Sequence, residues 1–265
     1  GYDVTCTQRS AGVKASETVF EFNGAGVVFN QIYGAPTSRF VADGLTFLHA
    51  SELIIDTGNW DDAGSIKLSR MRISGVPGSS HPLLLSAKQG GNIEMDNVLI
   101  DKMSSAMPSG ECAAHLIFSE GASVTLTSVT ADVAPNKNFC LGSKYAETPG
   151  GTVTINNSII WSSVQTSSIV NIEGADTINM INSTYFGLNR GGANGQTISA
   201  LQVNPQWVNP GNGDYHLNAS STSVNSATPI VPGGLSPFDI DGNARWQGAL
   251  PDRGAYESTF QSAQT

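Results

Sequence analysis

An octet of alternating apolar and polar positions, interrupted at its centre by a one-residue slip, recurs down the middle of the chain. It reads Ile66-Lys-Leu68-Ser-Arg70-Met71-Arg-Ile73, then Ile93-Glu-Met95-Asp-Asn97-Val98-Leu-Ile100 and Val124-Thr-Leu126-Thr-Ser128-Val129-Thr-Ala131. Two further copies are Val153-Thr-Ile155-Asn-Asn157-Ser158-Ile-Ile160 and Ile178-Asn-Met180-Ile-Asn182-Ser183-Thr-Tyr185, and an earlier, weaker one is Phe40-Val-Ala42-Asp-Gly44-Leu45-Thr-Phe47. Successive copies start 26, 27, 31, 29 and 25 residues apart. One strand pattern per period of this length marks a solenoid, in which each repeat buries its apolar row only by stacking on its neighbours.

The phase of the octet predicts the path of the chain. Positions one and three are apolar, and positions six and eight resume the inward row after the slip. That is a strand, a sharp bend and a second strand, both turning the same face inward. The bend falls at Asn97, Asn157 and Asn182, with Ser128, Arg70 and Gly44 in the other copies. Asn and Gly tolerate the left-handed backbone that such a corner demands, and stacked Asn side chains are expected to hydrogen-bond from coil to coil.

A further apolar run lies between octets in most periods: Val27-Val28-Phe29, Leu83-Leu84-Leu85, Leu116-Ile117-Phe118, Phe139-Cys140-Leu141 and Ile169-Val170-Asn-Ile172. Three strands per turn make a triangular coil stacked at about 4.8 Å per rung. The sequence therefore predicts an all-β, single-stranded right-handed parallel β-helix of roughly seven or eight coils. Residues 1–203 form the coils and 204–265 a C-terminal cap, with loops at 104–111 and 136–151 absorbing the changes in period.

Composition supports this: 29 Gly and 13% charged residues in 265, with no sustained helical periodicity. A net charge of −9, with only 13 Lys and Arg scattered through the chain, argues against nucleic acid and disfavours polyanionic substrates. No run of 18 apolar residues occurs, so no membrane-spanning helix is expected. No secretory leader is visible, and the chain begins at Gly1 without an initiator Met, as a processed product would. Three cysteines, Cys6, Cys112 and Cys140, permit at most one internal disulfide. Cys112 and Cys140 lie one coil apart, but Cys140 aligns nearer Leu116. Pairing them needs a favourable loop, and otherwise Cys140 is an ordinary core thiol.

The two ends of the chain carry a family resemblance. Gly1-Tyr-Asp-Val-Thr-Cys6, then Glu17-Thr-Val-Phe20 and Ala42-Asp-Gly44-Leu-Thr-Phe47, resemble the opening coils of secreted bacterial right-handed parallel β-helix repeat proteins of the pectin-lyase-like fold. The segment from Asn204 through Trp207 and Asp214 to Leu217 is similar to their NPLFVDPANGDYHL stretch. The tail from Asp241 through Arg245, Gly248, Asp252 and Gly254 to Glu257 is similar to the D-x-x-G-x-x-R…D-x-GAYE signature that ends many such surface proteins. One departure is Arg253, where a small apolar residue is usual. The resemblance implies secretion or display on a bacterial cell surface. An open solenoid end needs a cap, and Trp207, Tyr215, Leu217, Trp246 and Tyr256 are expected to cover the last coil, with Arg245 paired to Asp252 or Glu257.

Candidate chemistry is sparse. Asp101 and Asp132 follow equivalent octets one coil apart, about 5 Å between backbones, and His115 lies on the intervening segment, so the three are the candidate catalytic set for a polysaccharide hydrolase. Acidic residues just past a strand end are also ordinary turn residues. A lyase would need a Lys or Arg base. The basic concentration is Lys67, Arg70, Arg72, Lys88 and Lys102, but Lys67 stacks under Glu94, which predicts a cross-strand ion pair instead. His49, His81, His115 and His216 show no metal spacing, and no cofactor is expected. Asp239-Ile-Asp241-Gly-Asn243 resembles the start of a calcium loop but lacks the downstream Glu, and tight-turn chemistry explains it equally.

Trp60, beside Asp61 and Asp62 in a long loop, and Trp161 at a strand end are candidate sugar-stacking residues, although a Trp of this kind also packs on the adjacent coil. Ladders of Thr, Ser and Asn offer a flat polar surface to a polysaccharide or cell-surface glycan. The expected function is a secreted or surface-displayed, non-enzymatic adhesive or carbohydrate-binding module. The alternative is a polysaccharide-processing enzyme, glycoside hydrolase or lyase, acting on the outer face.

Overall fold

A computed structural model describes residues 19–22, 26–30, 39–57, 64–75, 83–87, 90–103, 112–118, 121–134, 137–142, 150–162, 170–175, 177–191 and 195–260. The described chain is a parallel β-solenoid built from an eleven-stranded sheet and a seven-stranded sheet, together with one two-stranded antiparallel hairpin. The eleven-stranded sheet carries both halves of the octet, here called the first and second legs. The seven-stranded sheet forms the third side.

The inward row of the first leg runs in one file across the rungs. Phe40 pairs with Ile66, Ile66 with Ile93, Ile93 with Val124, Val124 with Val153 and Val153 with Ile178, in unbroken parallel register. From Ile66 to Ile178 every member of the file is fully buried. Identical registration makes each apolar side chain a lid for the one below, and this replaces the globular core that no single repeat could assemble. On the third side Leu53, Leu83, Ala114, Phe139, Val170 and Leu188 form the corresponding file.

The predicted bends are present at all six positions. Gly44, Arg70, Asn97, Ser128, Asn157 and Asn182 have φ of 65, 50, 54, 53, 51 and 46°, so each corner occupies the left-handed region. The expected ladder between corner Asn side chains does not form. The corner turns the amide outward: the Asn97 side chain donates to the Phe238 carbonyl, and Asn157 both donates to the Thr228 carbonyl and accepts from its N–H. Coil-to-coil bonding passes instead to the next residue. Ser158 Oγ accepts from the Val129 N–H, and Ser183 Oγ accepts from the Ser158 N–H.

Cys112 and Cys140 are joined by a disulfide with Cα atoms 5.6 Å apart. A register shift makes this possible. Cys140 stands opposite His115, but Asn138 pairs with Cys112, so the bulge at Ala113 brings Cys112 back within reach. With the two positions 28 apart in sequence, loop-closure entropy gives a stabilisation of about 3.5 kcal/mol. Cys6 lies outside the described residues.

The C-terminal segment corrects one expectation. Rather than covering the last coil, it runs back along the outer surface of the second leg as a strap. Trp207, Tyr215, Leu217, Ile240, Ala255 and Tyr256 pack on Leu99, Ile159 and Trp161, which point outward from that leg. Trp246 takes no part and is 56% exposed, and Leu201 and Val203 near the last strand remain 41% and 36% exposed. The reason is the apolar outer row itself, which needed a cover of its own.

Arg245 is buried, donates to the Gly254 and Ala255 carbonyls, and lies 3.7 Å from Glu257. Asp252 is its more distant neighbour and accepts instead from the Asn225 and Ser258 N–H groups. Arg253 donates to the Ser226 carbonyl and the Thr184 hydroxyl, so its cation ties the strap to the solenoid.

Candidate functional site

The outer positions of the first leg are polar and alternate with the buried file. Lys67, Glu94 and Thr125 stand in one outward column on successive rungs, and Ser69, Asp96 and Thr127 in the next. Over these columns the strap sends a turn at 232–234, and between turn and sheet lies a groove of about 260 Å³. Gly233 and Gly234 have φ of 85 and 79°. Two consecutive left-handed residues make the turn tight enough to hang over the sheet, and only glycine takes both without strain.

Two acidic groups meet one base in this groove. Lys67 Nζ lies 3.0 Å from Glu94 Oε2, the cross-strand pair expected from sequence, and both side chains are about half exposed. Asp96, two residues beyond Glu94 on the same face, has no such partner. Its Oδ1 is shut off from solvent and receives no hydrogen bond. Burial pushes this carboxyl up to about 6, against the pull of the Arg245, Lys67 and Arg70 charges. Of those cations, Lys67 is held by Glu94, Arg70 by the Asp43 carboxylate, and Arg245 by the strap carbonyls and Glu257.

The sequence-derived catalytic set is dispersed. Asp101 and Asp132 do sit on adjacent rungs of the second leg, but beneath the strap. Asp101 is fully buried and pairs with Arg72 at 2.6 Å. Asp132 accepts a hydrogen bond from the Tyr215 hydroxyl at 2.9 Å; burial raises it to about 6, the Tyr215 bond opposes that, and the Asp101 charge adds to it. His115 belongs to the third side, in file with Leu84 and Cys140, and does not join them. Trp161 is 7% exposed, with its ring edge-on to Phe186 at 5.1 Å, so the adjacent-coil packing is what it does. Trp60, Asp61 and Asp62 lie outside the described residues.

The Asp239 turn is occupied by its own chain. Asp239 Oδ1 accepts from the Asp241 and Asn243 N–H groups, and Oδ2 from the Glu257 N–H and the Asn243 amide. Asp241 is turned to His216. In sequence that histidine has no role and no metal spacing, yet its Nδ1 lies 2.7 Å from Asp214 and its Nε2 2.9 Å from Asp241, with the ring 4.3 Å from Tyr256. Carboxylates only accept, so both nitrogens must donate, and the ring is an imidazolium. The Asp241 and Asp214 bonds raise it to about 9 against its partial burial. Among the described residues no group of three or more His, Cys, Asp or Glu is placed to hold a metal ion, and no helix is long and apolar enough to cross a membrane.

Comparison with protein-family models, with curated proteins and with solved structures finds no match for this chain. The parallel solenoid and the geometry of its outer faces are therefore what any functional reading rests on.

Proposed function

We propose that this chain is a carbohydrate-binding module of a secreted or surface-displayed protein, and that its ligand lies in the groove between the first leg and the 232–234 turn. The observation that carries the reading is the roofed groove. Its lining offers hydroxyls from Thr125 and Thr127, carboxyls from Glu94 and Asp96, and the Lys67 ammonium, all on a rigid sheet. Such a set of donors and acceptors matches the hydroxyl-covered edge of a sugar. A rung spacing of about 4.8 Å lets equivalent side chains meet consecutive parts of an extended chain. The volume falls just below the roughly 300–1,000 Å³ of pockets for drug-sized ligands, which suits a short stretch of saccharide or a chain end.

A second reading has one observation in its favour. Glu94 and Asp96 are two carboxyls on one face of one strand, and Asp96 holds its proton to about 6, as the acid of a glycoside hydrolase must. A glycan array with calorimetric follow-up, run beside a reducing-end assay, separates the readings. Binding without new reducing ends is the expected result. Thr125→Tyr, which fills the groove, is expected to abolish that binding while leaving the melting temperature in place. Binding that survives Thr125→Tyr unchanged moves the site elsewhere, and released reducing ends favour the hydrolase.

A further inference from the structure

We propose that the groove selects saccharides that carry a free amine, with the ligand's ammonium seated against Asp96. This rests on the carbohydrate-binding reading and narrows its ligand class.

Among the described residues, the charges around the groove are paired off except one. Lys67 is matched by Glu94 and Arg70 by Asp43 on the neighbouring rung, while Arg245, the cation nearest from the strap, is matched by Glu257 and two carbonyls. Asp96 remains, bordering the groove, with a shut-in oxygen that no donor reaches. A buried acceptor left without a donor costs about 1–3 kcal/mol, and more when it is charged. A ligand that brings both a donor and a positive charge relieves both deficits at once. A neutral sugar hydroxyl relieves only the first, and a uronate adds a second anion beside Glu94, in a chain whose net charge is already −9. Thr125 and Thr127, beside Glu94 and Asp96 on the next rung, are placed to bond the ring hydroxyls that flank such an amine.

Protonation gives the idea an independent readout. Asp96 keeps its proton to about 6 because burial outweighs its surrounding cations, while Asp43 pushes in the same direction as burial. An ammonium docked against it favours the ionised carboxylate. Complex formation near pH 6 therefore releases a proton, and affinity falls as the solution is acidified below that value.

The test is titration calorimetry with three probes: oligomers of glucosamine, oligomers of N-acetylglucosamine, and oligogalacturonate. At pH 6.5, where the sugar amine is largely an ammonium and Asp96 largely a carboxylate, the glucosamine oligomers are expected to bind about tenfold tighter than the acetylated ones, the scale of one charge-assisted hydrogen bond. Asp96→Asn is expected to erase that preference while the melting temperature holds or rises, because a destabilising buried carboxylate is removed. Lys67→Met, which releases Glu94 as a second unmatched carboxylate, is expected to strengthen amine binding several-fold. Repeating the titration at pH 6 in buffers of different ionisation enthalpy should show proton release. Equal affinity for free and acetylated oligomers, or a preference that survives Asp96→Asn, overturns the amine assignment while the groove remains a glycan site. If none of the probes and no arrayed glycan binds, the carbohydrate reading falls with it.

Discussion

The two legs of the eleven-stranded sheet share one construction inward and differ outward. On the first leg the outer columns are Lys67, Glu94 and Thr125 beside Ser69, Asp96 and Thr127, polar and open to a groove. On the second leg the outer row includes Leu99, Ile159 and Trp161, apolar and sealed by the strap. Inward positions decide that the chain stacks. Outward positions decide which face is left open and which is given to the chain's own C-terminal segment. The two pairs of carboxyls make the same point. Asp101 and Asp132 are withdrawn beneath Tyr215, whereas Glu94 and Asp96 border open space.

The contrast can be broken most severely at Arg245. Arg245→Met removes the donor to the Gly254 and Ala255 carbonyls and leaves Glu257 buried without its cation. A buried acceptor that loses its donor costs about 1–3 kcal/mol, and here two carbonyls lose theirs at once. The near-ultraviolet signal of the packed strap aromatics should be lost at a lower denaturant concentration, while the strand signal of the stacked rungs persists longer. Simultaneous loss of both signals at the wild-type midpoint would show that the strap is not held by this residue.

A second break is by pH. His216 has its value raised from 6.5 to about 9, so the stability it contributes is complete below 6.5 and disappears as pH rises to about 9. Asp96 and Asp132 have theirs raised from 3.8 to about 6, and Glu257 from 4.5 to about 8. A carboxyl whose proton is held more tightly in the folded state loses stability as pH climbs through its window, so these three act in the same direction as His216. The melting temperature is expected to be highest near pH 4 and to decline up to about pH 9. His216→Gln should remove the decline between 8 and 9, lessen it between 6.5 and 8, where Glu257 also titrates, and leave the acidic limb alone. A melting temperature that rises across the whole range contradicts these assignments.

The mildest change sharpens the comparison. Asn157→Gly keeps the left-handed corner but removes the two bonds to Thr228, a loss of about 1–2 kcal/mol. Chemical denaturation should register it, and hydrogen exchange should place it in the strap near Thr228 rather than in the inward file of the first leg.

The stack is readable in the sequence because its rule is local: an inward row with period two and a corner that needs left-handed backbone at fixed spacing. Gly44, Arg70, Asn97, Ser128, Asn157 and Asn182 follow that rule one by one. The strap was not read, although a signal existed. The seventh octet position is Arg72, Thr130 or Thr184 in three copies but Leu99 and Ile159 in two others, apolar where the pattern faces outward. Such residues say that something covers them without saying what. The groove was less legible still, because its roof comes from residues more than 100 positions beyond its floor. His216 stands between its two carboxylates only once the hairpin and the Asp239 turn have met. The disulfide turned on a single bulge at Ala113, which no alternation pattern foretells.

The strap is fastened at Asn97, Thr130, Asn157 and Thr184, four consecutive storeys of the stack. Stacked repeats ordinarily couple only to their neighbours and can fray from either end. Here a single seam stitches several storeys together, so that pulling on one loads the others. The middle of this molecule should therefore resist tension as one block and give way at once, instead of unravelling storey by storey.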